Sequence, residues 1–299
     1  MREIIMDEKI LLIVNPVAGE GASKLWVYDM IEILSKKYDT VSVHISKCAG
    51  DIKKAAFEHA AEYDAVVCAG GDGTLSEMID GVVSSGASPL LGYMPIGTTN
   101  DFANGHGISR NLKTAMKRFV EGDEHYYDVG VLGERPFAYV AAFGAFTDVA
   151  YQTAQDKKTD LGIIAYLIEA AKRLPEMKSI HLSYEIDGKT ESGDFIYGMV
   201  SNSKNVSGMK FFDIKDENLS DGEMEITLVR FPKNVVELQT AIKGLLNPKI
   251  KCATVIRAKA SKVLFSFDNE VAWTTDGEYG GDYKDVEVSV LPERMHIKF

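Results

Sequence analysis

Short apolar runs and longer amphipathic stretches take turns along the first part of the chain. Ile10–Val14, Val41–Ile45, Ala65–Cys68 and Leu90–Met94 are continuous apolar runs and read as buried strands. Between and after them, Ser23–Lys37, Asp51–Tyr63, Leu75–Val83 and Asn111–Glu121 read as helices. In the first of these, Leu25, Tyr28, Ile31 and Leu34 recur every third residue and form an apolar stripe. Repeated strand and helix predict a parallel sheet covered on both faces. Such sheets take ligands beyond the carboxyl ends of their strands, so the loops after Val14, Cys68 and Met94 matter most.

The pattern changes past Glu121–Tyr127. Glu134–Phe143, Ile180–Ile186, Phe195–Val200, Met224–Arg230, Thr254–Ala258, Lys262–Phe267 and Val286–Leu291 are short β-rich segments. Turn signals such as Asp187-Gly188 and Asp221-Gly222 separate them. Ile163–Leu174 is a predicted helix ended by Pro175. The expectation is α/β plus β: an α/β domain over residues 1–125 and an antiparallel β-sandwich over 126–299, its last residues free to pack back on the first domain.

Composition narrows the class. The 299 residues are 45% hydrophobic and 26% charged, as in a folded globular protein. Lys plus Arg number 33 against 44 Asp plus Glu, a net charge of −11 that speaks against nucleic acid as the main partner. No apolar run approaches the ~20 residues of a membrane span. Asp7, Glu8 and Lys9 interrupt the N-terminal apolar residues, so no secretion signal is expected. Cys48, Cys68 and Cys252 are odd in number and scattered, which suits a reducing cytosol. The six histidines form no ligand pattern.

The candidate chemistry lies in glycine-rich loops. Asn15-Pro16-Val17-Ala18-Gly19-Glu20-Gly21, Gly70-Gly71-Asp72-Gly73-Thr74 and Pro95-Ile96-Gly97-Thr98-Thr99-Asn100-Asp101-Phe102-Ala103 each follow a predicted strand. A strand, a glycine loop and a helix aim backbone N–H groups at one point, which suits phosphate. The plain alternative for each is a turn, and Asn100-Asp101 also reads as a helix N-cap pair. Asp276-Gly277-Glu278 offers two carboxylates that share a face if the stretch is extended, as a general base and an orienting acid would, or else forms a hairpin turn. Asn218-Leu219-Ser220-Asp221-Gly222-Glu223 reads better as a tight turn than as a metal site.

Taken in this order, the motifs Asn15-Pro16 with Gly19, Gly70–Thr74, Pro95–Ala103 and Asp276–Glu278 resemble those of the diacylglycerol kinase catalytic-domain family, over nearly the whole chain. Its soluble bacterial lipid kinases, related to sphingosine and ceramide kinases, are the most similar. The resemblance implies ATP- and Mg²⁺-dependent phosphoryl transfer to the hydroxyl of diacylglycerol or a similar lipid. It implies a phosphofructokinase-like first domain, a β-sandwich second domain and an active site in the cleft between them. Nucleotide contacts fall on Asn15, Pro16, Val17, Ala18, Gly19, Ser46, Gly70, Gly71, Asp72, Gly73, Thr74, Leu75, Ser76, Thr98 and Asp101, with Asp72 and Asp101 organising Mg²⁺. Asp276 and Glu278 match the proton-acceptor segment, with the choice between them open. Asp221, with the main chain of Asn218 and Glu223, matches a structural Mg²⁺ site and moves that turn toward metal.

Glu20 departs from the family, which often carries a basic residue there; Lys24 and Arg2 are the nearest cations. The implied setting is cytoplasmic, peripheral at the inner membrane face, in phospholipid metabolism, with a homodimer left open. Docking against the overall charge needs a local patch. Met209-Lys210-Phe211-Phe212 or Lys172, Arg173 and Lys178 are candidates, beside plain core or solvated roles. The competing readings are a kinase for a soluble acceptor such as NAD, and a catalytically weak ATP- or lipid-binding regulator.

Overall fold

The structure, a computed structural model, describes residues 7–145, 178–203, 219–247, 249–250 and 252–299. The predicted helix Ile163–Leu174, the Met209–Phe212 segment, Lys172, Arg173 and Asn218 lie outside the described residues. The chain divides into two units, Met1–Tyr127 with Glu293–Phe299, and Asp128–Pro292.

In the first unit the apolar runs are strands β1 (Lys9–Val14), β2 (Thr40–Ile45), β3 (Ala65–Gly70) and β4 (Leu90–Pro95). They pair in the order β4-β3-β1-β2, all parallel. The register sets Val14 beside Ala69 and Ile45, and Gly70 beside Pro95, so all four strands end at one edge. One face of β1, Ile10, Leu12 and Val14, packs with Met30 and Leu34 of α1 (Ala22–Leu34) and Met116 and Phe119 of α5 (Leu112–Glu121). Buried on both faces, these strands read as unbroken apolar runs. Helices α2 (Asp51–His59) and α3 (Asp72–Ser85) pack on each other. Lys53 Nζ meets the buried Asp80 carboxylate at 2.7 Å across that contact. Residues 293–299 return to this unit: Ile297 pairs in parallel with Leu91, and the Phe299 and His296 rings stack on His125 and Tyr126 at 4.4 Å each.

One helix of this unit departs from expectation. Asp101–His106 forms the short helix α4 where only a cap pair was foreseen.

The second unit holds the rest of β5 (Glu124–Leu132), then β6 (Arg135–Phe137), β7 (Val140–Gly144), β8 (Ile180–Ile186), β9 (Lys189–Ser201), β10 (Met224–Arg230), β11 (Val255–Ala260), β12 (Lys262–Thr275) and β13 (Glu278–Lys298) up to Pro292. A helix, α6 (Val235–Leu246), lies in a stretch to which the sequence reading gave no element. The long strands β9 and β12 each serve three partners: β8 pairs with their outer parts, β7 with Tyr197–Ser201 and Trp273–Thr275, and on their other edges β10 pairs with β9 and β13 with β12. Phe143 sits among Phe265, Phe267 and Trp273, with ring centroids 5.8, 5.1 and 4.6 Å away, all fully or nearly fully buried.

Phe143→Ala is expected to destabilise the second unit by about 4 kcal/mol in urea unfolding, since it empties the middle of an aromatic core. Phe57→Ala, on the half-exposed side of α2, should stay within about 0.5 kcal/mol of wild type.

Candidate active site

Three loops leave the carboxyl edge of the first unit's sheet and touch one another through backbone. The Asn15 side-chain amide donates to Thr74 Oγ1 at 3.0 Å, and Asn15 Oδ1 accepts the Val17 N–H at 3.2 Å. Gly19 has φ +58°, and a Cβ there would stand 2.3 Å from the Ile96 carbonyl oxygen. A Cβ on Gly97 would stand 2.5 Å from Gly71 Cα. The Gly70 carbonyl accepts the N–H groups of Ile96 at 2.7 Å and Gly97 at 3.2 Å. The first loop therefore leans on the third, and the third on the second, at distances that exclude side chains.

Asp72 locks the second loop to the third. It opens helix α3, yet its carboxylate reaches across to α4: Oδ2 accepts the Asp101 N–H at 2.9 Å and Oδ1 the Phe102 N–H at 3.1 Å. The first N–H groups of a helix have no partner of their own, and here a residue 29 positions upstream supplies one. Asn100 occupies the N-cap position in a left-handed conformation, φ 52° and ψ 55°, but its side chain does not cap. Instead it donates to the Gly97 carbonyl at 2.7 Å and accepts from the Tyr93 hydroxyl at 3.1 Å. Burial raises the Asp72 carboxyl above its ordinary value, and the backbone donors only partly oppose this.

The other nucleotide candidates of this unit cluster at the same edge. Ser46 follows β2 and donates its N–H to the Val14 carbonyl at 2.9 Å. Thr74 and Ser76 are buried, while Thr98 is exposed and its carbonyl accepts Arg110 Nη2 at 2.8 Å. Pro16, Val17 and Ala18 form the turn of the first loop. The Leu75 side chain is wholly buried and its N–H bonds the Gly71 carbonyl at 3.1 Å, so it packs the core. Asn100, Tyr93 and Arg110 were not foreseen as loop supports; the left-handed Asn next to a glycine loop was the available signal.

In the second unit, Asp276 and Glu278 do not share a face. Asp276 and Gly277 have φ 49° and 87° and make a two-residue hairpin turn, with Thr275 paired to Glu278. The extended stretch needed for a paired-carboxylate face is absent. Asp276 is 4% exposed. Its Oδ2 accepts the Ala138 N–H at 2.6 Å, and Oδ1 accepts those of Tyr139 and Val140 at 2.9 and 3.1 Å. Its own N–H donates to the Val140 carbonyl at 2.8 Å. Glu278 is exposed, one residue beyond this anchored turn. Arg135 Nη1 bonds the next carbonyl, that of Tyr279, and helps to hold the hairpin.

At the Asp221 turn, where Asn218 lies outside the described residues, the Asp221 carboxylate has two neighbours. Asp221 Oδ1 accepts the Glu223 N–H at 3.1 Å, and its Oδ2 faces Lys259 Nζ at 3.4 Å. The same ammonium is 3.1 Å from Glu225 Oε1, which is buried. Burial alone would depress Lys259, but Glu225 and Asp221 hold it above its ordinary value. Lys259 thus bridges Asp221 and Glu225. Buried Asp128 closes the turn by accepting the Gly222 N–H at 2.7 Å.

Glycine loops converging on two helix N-termini, with carboxylates among them, define a phosphate-handling enzyme of the kinase class. Residues 9–132 match the model of the diacylglycerol kinase catalytic domain. The chain is 30% identical over 272 residues to a diacylglycerol kinase of Bacillus subtilis, covering 90% of this chain and 89% of that one. It is 31% identical over 281 residues to a diacylglycerol kinase of Staphylococcus aureus, covering 92% and 88%. A crystal structure of a diacylglycerol kinase from Bacillus anthracis superposes with a TM-score of 0.76 at 21% identity, over 98% of this chain and 97% of the other. The chain belongs to the diacylglycerol kinase family, a family of lipid kinases. Among the described residues no helix is long and apolar enough to cross a membrane.

Gly97→Ala is expected to lower stability by about 1–3 kcal/mol in thermal melts, because the new methyl overlaps Gly71 Cα. Lys259→Met should cost about 2–3 kcal/mol, by stranding buried Glu225; the part of Lys259 that stays in water keeps the loss below that of a fully buried pair.

Proposed function

We propose that this kinase transfers the γ-phosphoryl group of ATP to the hydroxyl of diacylglycerol or a closely similar lipid, with Mg²⁺, at the cytoplasmic face of a membrane. The observation that carries the reading is the mutual contact of the three glycine loops around Asp72, on a chain about 30% identical to diacylglycerol kinases of two genera. The reading takes the first unit as phosphofructokinase-like and the second as a β-sandwich.

In this proposal the backbone of Asn15–Gly19 and Gly70–Ser76, with Thr98 and Ser46, cradles the nucleotide. Gly19 and Gly97 let the loops close on one another backbone to backbone, and the N–H groups at a helix start beside such loops suit a phosphate. Asp72 and Asp101 would hold Mg²⁺: the donors that Asp72 meets are neutral amides, so its charge is left for a cation to offset. The metal would supply charge neutralisation on the phosphates.

Between the two carboxylates of the hairpin, the reading assigns the proton to Glu278. Asp276 spends its two oxygens on three backbone N–H groups, and taking a proton would break that set. Glu278 is exposed and so placed to gain and lose one. As the lipid oxygen attacks the γ-phosphorus, its O–H proton passes to Glu278, the bond to the bridging oxygen breaks, and ADP leaves. Phosphoryl transfer of this kind depends on positioning and charge stabilisation more than on a strong base.

Glu278→Gln is expected to keep the wild-type melting temperature while lowering kcat by about 10²–10⁴-fold, measured with labelled ATP and diacylglycerol in mixed micelles. Asp276→Asn should instead lower stability by roughly 1–3 kcal/mol. Phosphate appearing on NAD and not on lipid, or equal turnover in wild type and Glu278→Gln, would overturn the assignment.

A further inference from the structure

One surface of the first unit opposes the charge of the chain as a whole. Between Arg110 and Glu121 lie four cations, Arg110, Lys113, Lys117 and Arg118, against one acid, Glu121, in a chain of net charge −11. Helix α5 sorts this segment cleanly. Leu112, Ala115, Met116 and Phe119 are buried in the core, while Lys113, Thr114, Lys117 and Arg118 face solvent. The exposed residues, with Glu121 and Gly122, line an open concavity.

Among the described residues, three of these cations meet neutral partners. Arg110 donates to the Thr98 carbonyl at 2.8 Å, and Arg118 to the Gly107 carbonyl at 3.2 Å; both partners are uncharged. Lys113 Nζ stands 5.8 Å from the centre of the Trp26 ring of α1. Lys117 Nζ lies 3.7 Å from Glu121 Oε2, an exposed pair that salt screens readily. Trp26 is half-buried, with part of its ring open beside the basic face.

We propose that this face of α5, with Trp26 at its side, is where the protein docks on a bilayer of anionic lipid. The chemistry fits on three counts. Lysine and arginine near an anionic surface each strengthen binding by about fivefold. The concavity between their side chains admits a phosphate headgroup. An indole next to cations is the side chain that settles at the headgroup level. Arg110 ties this helix to the third glycine loop through Thr98, so the docking face and the loop are parts of one unit. The inference deepens the lipid-kinase reading, since a kinase for a membrane lipid has to meet its substrate in a bilayer.

The test uses the full chain with vesicles of phosphatidylcholine, with and without phosphatidylglycerol. Trp26 and Trp273 are the two tryptophans, and Trp273 is wholly buried in the second unit, so emission changes on docking report Trp26. The protein is expected to float with the anionic vesicles only, to be released by high salt, and to shift its emission to the blue on binding. Lys113→Glu with Lys117→Glu should weaken vesicle binding by about tenfold or more. The same double variant should phosphorylate short-chain diacylglycerol in uncharged detergent micelles at the wild-type rate. Wild-type protein that ignores anionic vesicles, an unmoved Trp26 emission, or a double variant that floats as wild type does would each overturn the proposal. Vesicle binding lost in the double variant, with no transfer to lipid by wild type in micelles, would uphold the docking face and refute the lipid-kinase reading instead.

Discussion

Asp72 stands in the first turn of one helix and accepts the first N–H groups of another, so the second and third glycine loops cannot part without exposing the start of α4. Burying a carboxylate is costly, and the cost shows as a raised pKa. What offsets it is main-chain polarity: the N-terminal ends of α3 and α4 both present partial positive charge to the same place. The result is a pocket edge with donors, a negative charge in their midst and no room for side chains at Gly19 and Gly97.

The second unit uses a carboxylate in the same way and to a different end. Asp276 also binds backbone N–H groups, but three of them, at a hairpin turn. A carboxylate so saturated holds a shape. Its neighbour two residues on, Glu278, is exposed, and the anchored turn fixes where its backbone starts. Burial and exposure are thereby divided between two acids that a sequence presents as equivalents, and the proposed choice of proton acceptor rests on that division.

That division marks the limit of what sequence alone conveys. The four parallel strands were legible because strands buried on both faces leave unbroken apolar runs such as Ile10–Val14. The loops followed from the strands. Helix α4 was not legible, since six residues containing Gly105 make a poor helix on local grounds and its cap comes from Asp72, distant in sequence. Helix α6 was left unassigned, its opening Val235-Val236 being β-branched, although Asn234 and Glu237 form the side-chain cap that could have revealed it. Strands β9 and β12 run longer than expected because their exposed parts, such as Lys189–Asp194, are polar and carry no apolar signal. The paired-carboxylate face at Asp276 and Glu278 assumed an extended chain, and the same Asp-Gly dipeptide turned it.

Net charge misleads for a related reason: it sums over distances that salt makes irrelevant. With a Debye length of about 8 Å at physiological ionic strength, a surface responds to the charges that touch it. Lys113 and Lys117 lie about 6 Å apart along α5, inside that length, so they act together while more distant acids are screened. Lys259 illustrates the same locality, one ammonium serving Asp221 and Glu225 at a turn where the family resemblance suggested a metal ion. In an acidic chain the few cations are therefore the informative charges, because each is held where the structure leaves it a specific partner: two carboxylates for Lys259, and neutral carbonyls and an indole along α5.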